Sequence, residues 1–90
     1  MFQYTFNEMT VKEFYYDDEQ LLLPAYTLMA HDGRVWALYT NEFLDVSFIV
    51  TRGVLNGSQG WRVMVLPGII SLSYAGAYVK QKCGECLGMR

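Results

Sequence analysis

The chain has one histidine, two cysteines, two prolines and only seven lysines and arginines, and each shortage removes a class of function. With His31 alone and no nucleophile-elbow pattern around Ser47, Ser58, Ser71 or Ser73, the nucleophile, base and orienting group of a hydrolytic triad are not assembled. Asp32, beside His31, belongs to a turn. The basic residues Lys12, Arg34, Arg52, Arg62, Lys80, Lys82 and Arg90 are scattered, and net charge is −2, so no basic stripe answers a phosphate backbone. Direct nucleic-acid binding is therefore not expected. Gly53, Gly57 and Gly60 carry neither the Lys-Ser/Thr pair of a P-loop nor dinucleotide spacing, and they read as turn glycines.

Met1-Phe2-Gln3-Tyr4-Thr5-Phe6 lacks the basic region and apolar run of a secretion signal. Two cysteines without such a signal suit a reducing compartment, and the expected location is cytoplasmic. Seventeen residues, Val63 to Val79, carry no formal charge, but Pro67-Gly68, two serines and two tyrosines interrupt the run. A strand, a turn and a second strand explain it better than a membrane span.

What is abundant is apolar and aromatic. Hydrophobic residues make up 52% of the chain and Phe, Trp and Tyr 16%, which excludes disorder and fits one domain over residues 1–90. Seven Tyr, five Phe and two Trp exceed what one small core holds, so a homo-oligomer or a protein partner is expected.

Phe2 to Phe6 alternates as a strand does. Thr10-Val11-Lys12-Glu13 has capping-box spacing, yet Phe14-Tyr15-Tyr16 suits a strand, and residues 11–22 stay ambiguous between the two. Tyr26–His31 and Arg34–Thr40 flank Asp32-Gly33, a type I′ hairpin signal. In the second arm Val35, Ala37 and Tyr39 share one face and Trp36 and Leu38 the other, so both faces are apolar, as in a barrel, a sandwich or a helix-covered sheet. Asn41 to Asp45 reads as a connection. Val46–Thr51 and Trp61–Leu66 are strands joined by a longer, mobile tip centred on Asn56-Gly57. Ile69 to Tyr74 reads as a further strand, extended by 75–82 or followed there by a short helix, with 83–90 a flexible C-terminal tail. The expected fold is mostly β, with β-rich α+β as the variant: an antiparallel sheet or small barrel of five to six strands with one or two short helices.

Three constellations carry the functional expectations. Tyr15, Tyr16, Asp17, Asp18 and Glu19 combine rigid aromatic area with carboxylates that compete for a partner's Arg and Lys. They suggest a non-enzymatic protein-binding module, an inhibitor or adaptor covering a nucleic-acid-handling partner, of the kind common among viral and mobile-element anti-defence proteins. The alternative is an oligomeric binder of a nucleotide-like ligand, stacked on Trp36 or Trp61 with Arg34, Arg52 or Arg62 at its phosphate. Cys83 and Cys86 supply half of a tetrahedral zinc site, so a zinc-stapled assembly would share the metal between chains. As a redox pair they should open a helix, and only Leu87-Gly88-Met89-Arg90 follow. No other cofactor is expected.

Overall fold

The computed structural model describes residues 2–17, 27–31, 34–55 and 57–88, with side chains of Phe2, 27–31, Leu55 and 83–88 outside the description. Six strands form one open antiparallel sheet: β1 (Phe2–Phe6), β2 (Met9–Tyr16), β3 (Thr27–His31), β4 (Arg34–Asn41), β5 (Val46–Leu55) and β6 (Ser58–Pro67), followed by helix α1 (Leu72–Gly88). The spatial order is β1-β2-β6-β5-β4-β3. The expected mostly β, antiparallel architecture is the one observed, as a sheet and not as a barrel. No helix among the described residues is long and apolar enough to cross a membrane.

The ambiguous segment 11–22 is strand β2 as far as Tyr16; Asp18, Glu19 and the rest of it to residue 22 lie outside the described residues. Thr10 and Glu13 cap nothing: they pair with Thr5 and Phe2 across the β1–β2 hairpin. Asn7 and Glu8 form its turn at φ 53° and 65°, the two positive dihedrals that a type I′ connection requires. In the β3–β4 hairpin His31 pairs with Arg34, with Asp32-Gly33 outside the described residues.

The tip between β5 and β6 is shorter than expected. The ladder runs through Gly53↔Gly60 to Leu55↔Ser58, so Gly53 and Gly60 are strand positions and not turn glycines. Gly60 is there for closeness: a Cβ would stand 2.7 Å from the Tyr16 carbonyl oxygen. Gly57, at φ 82°, is the turn glycine.

The strand expected over Ile69–Tyr74 is a correction. Pro67-Gly68 ends β6 with Gly68 at φ 80°, and Ser71 caps α1, its Oγ accepting from the Tyr74 amide at 3.1 Å. The helix buries Ala75, Tyr78 and Val79, spaced i, i+3, i+4 on one stripe. It continues to Gly88, so the first six residues of the segment 83–90 belong to α1.

Alternation in the strands sorts the core into two faces. Beneath α1 lie Phe6, Val11, Trp36, Leu38, Ile49, Met64 and Leu66. Tyr78 packs edge-on to Phe6 at 5.0 Å between ring centroids, and Tyr74 does the same at 5.6 Å. The opposite face gathers Ala37, Tyr39, Val50 and Val63, with Phe14, Phe48, Trp61 and Val65 against them. Residues 36–39 of β4 are buried on both faces, as the sequence implied, while Val35 is exposed.

Candidate functional site

The β4–β5 ladder ends at Trp36↔Thr51, although β4 begins two residues earlier and β5 runs on to Leu55. The strands fork there. Thr51 ties the crotch of the fork, its hydroxyl donating to the Val35 carbonyl at 3.1 Å. Beyond it opens a cleft of about 630 Å³ lined by Tyr15, Arg34, Val35, Thr51, Arg52, Gly53, Val54 and Arg62.

Strand register brings three arginines to the rim of the fork, on its two faces. Arg62 is the ladder partner of both Thr51 and Tyr15, which places it over the helix-side face beside the fork. Arg52 pairs with Trp61 and lies over its indole, 4.2 Å from the ring centroid. Arg34 starts the strand that diverges. No carboxylate is among the described residues that line the cleft.

Behind the cleft, Glu13 orients one of the cations. Its side chain is 1% exposed, and its Oε1 accepts from Arg62 Nε at 2.8 Å and Nη2 at 2.6 Å. Lys82 from α1 approaches the other oxygen, Oε2, at 3.7 Å and lies 3.8 Å above the Tyr4 ring. A buried carboxylate requires such partners, and the result is a guanidinium whose direction is set from below. Gly53 leaves room for that side chain: a Cβ there would meet Arg62 Cγ at 2.7 Å and Tyr15 Cε1 at 3.1 Å.

The cleft can hold an anion. Of its two hydroxyls, that of Thr51 is engaged with Val35, and no histidine, cysteine or carboxylate stands among the described lining residues to activate a nucleophile.

The structure brings together some of the expected site residues and separates others. Arg34, Arg52 and Arg62 all line the cleft, Arg34 and Arg62 from the helix-side face and Arg52 from the opposite one, over Trp61. Trp36 does not join them: it is buried in the core beneath α1, because even-numbered positions of β4 face the helix. Trp61 contributes indirectly, as the platform under Arg52. Tyr15 and Tyr16 are successive strand residues and point to opposite faces, Tyr15 into the cleft wall and Tyr16 against the other core cluster. Asp17, which follows them, is exposed; Asp18 and Glu19 lie outside the described residues. Cys83 and Cys86 fall three residues apart in the last turns of α1, the end whose dipole is negative, and their side chains are outside the description. Glu13 and Tyr15 are the site residues that sequence reading assigned to other roles. Their signal, the cross-strand register with Arg62, exists only once β2 is known to pair with β6.

No protein-family model, no curated protein and no solved structure matches this chain.

Proposed function

We propose that this protein is a non-catalytic binding module that holds a phosphate-bearing ligand of nucleotide size in the fork between β4 and β5. The observation that carries the reading is the presence of Arg34, Arg52 and Arg62 around one cleft, with no carboxylate among its described lining residues. Arginine suits phosphate because its planar fork donates two parallel hydrogen bonds. A volume of about 630 Å³ falls within the range of roughly 300–1,000 Å³ typical of ligand pockets. Val35 and Val54 supply apolar lining and Tyr15 an aromatic ring, so the cleft offers apolar surface for a base or other flat group next to the cations.

Isothermal titration calorimetry with pyrophosphate and a panel of nucleoside mono-, di- and triphosphates tests the proposal. Arg34→Ala and Arg52→Ala are the informative variants, since neither residue holds Glu13. The expected result is saturable binding that weakens with salt and falls at least tenfold in either variant. Absence of heat for every ligand at millimolar concentration, or affinities unchanged by both variants, would refute it.

A further inference from the structure

The end of the sheet opposite the cleft has a different character. The turn from β4 to β5 displays Phe43, fully exposed, and Leu44, 67% exposed. The connection from β6 to α1 displays Ile69 and Leu72, each about half exposed. Three hydrogen bonds bring these segments together. The Gly68 amide donates to the Asp45 carbonyl at 2.7 Å, and the buried Ser47 hydroxyl donates to the Gly68 carbonyl at 2.8 Å while accepting from the Ile70 amide at 3.0 Å. The turn is itself braced, with Leu44 N donating to Asn41 Oδ1 at 3.1 Å and Asp45 held at φ 53°. Four large apolar side chains are therefore presented on a preorganised scaffold, where docking would order little further chain. Isolated exposed apolar residues are ordinary, but a group of four on two stitched loops is the signature of an interface.

Charge selects the occupant. Residues 41–50 and 66–79 contain Glu42 and Asp45 and no lysine or arginine. A second copy docked symmetrically through this end would set these carboxylates against their own images, and an anionic bilayer would repel them. A cationic surface would be attracted to them. We propose that this end of the molecule docks a protein partner that presents an apolar pocket rimmed by Lys and Arg. The inference goes beyond the cleft and does not rest on it. From Arg34 to Asn41 along β4 is seven residues, roughly 23 Å at about 3.3 Å each, so both sites can be filled at once.

The test is a ¹⁵N-HSQC titration of the whole chain with an amphipathic model peptide of Leu and Lys, set against its Leu and Glu counterpart. Dilution of the protein alone and vesicles of phosphatidylcholine with phosphatidylglycerol complete the comparison. The expected outcome is that the Leu/Lys peptide shifts amides of 42–45 and 69–72, leaves those of 51–53 in the cleft unmoved, and binds Phe43→Ser at least tenfold more weakly. Phe43 has no burial to lose, so the variant keeps its fold, and its own spectrum verifies this. Equal binding of the Leu/Glu peptide, shifts centred elsewhere, or an unchanged affinity for Phe43→Ser would overturn the proposal. So would concentration-dependent shifts of the same amides, which mean a second copy, or a stronger response to the vesicles, which means a lipid surface.

Discussion

Replacing Glu13 with Gln should lower stability and raise anion affinity at the same time, a pair of signs that few other arrangements would give. The side chain is 1% exposed and receives two charge-assisted hydrogen bonds from Arg62 on one oxygen. Such bonds contribute roughly 1.5–3 kcal/mol each and neutral ones roughly 1 kcal/mol. Glutamine keeps an acceptor at that position, so each bond loses about 0.5–2 kcal/mol, and the attraction to Lys82 is lost as well. Arg62 and Lys82 retain 18% and 16% exposure and can turn partly towards water, which discounts the total to about 2–3 kcal/mol. For a domain of this length that is a fall in Tm of roughly 10–20 °C by thermal denaturation. Affinity moves the other way, because a carboxylate sharing Arg62 with a bound phosphate repels it. At a separation of roughly 7 Å and intermediate dielectric the repulsion is about 1 kcal/mol, or roughly fivefold in Kd for pyrophosphate. Calorimetry on the folded variant measures this below its lowered Tm. A Tm loss under about 3 °C would mean that the buried ion pair contributes little to stability. A tenfold weakening of pyrophosphate binding would mean that Glu13 is needed to aim Arg62 more than it opposes the ligand.

Other substitutions probe the packing from which the cleft is built. Tyr78→Phe removes a buried hydroxyl that has no hydrogen-bond partner among the described residues; urea unfolding should change by less than about 1 kcal/mol, or show a gain, and a loss above about 2 kcal/mol would contradict that environment. Gly60→Ala drives a methyl into the Tyr16 carbonyl and should cost about 1–3 kcal/mol in the same assay, and a neutral result would show that β2 and β6 are further apart than described. Gly53→Ala presses on the Arg62 side chain and not on backbone, so it should weaken pyrophosphate binding several-fold while Tm moves by only a few degrees; the reverse pattern would argue against Arg62 as a ligand group.

Much of the sheet was legible because its turns announce themselves. Asp32-Gly33 and Asn56-Gly57 mark hairpins by the positive φ they tolerate, and the double alternation along β4 implied burial on both faces, which Trp36 to Tyr39 show and the exposed Val35 does not. The β1–β2 turn was silent, since Glu8 at φ 65° is not a residue type that signals a type I′ connection. Thr10 to Glu13 satisfied a helical spacing by coincidence: the carboxylate that would have closed a capping box is instead the buried partner of Arg62. The start of α1 was missed because Ser71-Leu72-Ser73-Tyr74 has the short-range pattern of a strand, and the apolar stripe that favours helix emerges only at Ala75, Tyr78 and Val79. For the site, the arginines could be named as phosphate ligands from sequence, but their meeting could not. Positions 34, 52 and 62 come to line one cleft through the ladder pairs of β5 with its two neighbours and through the point where β4 leaves it, which is a property of pairing and not of spacing.

The most direct test of the central claim is to locate the bound anion by following backbone amides during titration with pyrophosphate. Binding in the fork predicts saturable shifts at residues 34–35, 51–54 and 62, abolished by Arg34→Ala, with the amides of 42–45 at the far end unmoved. Shifts spread over Lys12 and Lys80 without saturation, or none at millimolar pyrophosphate, would contradict it.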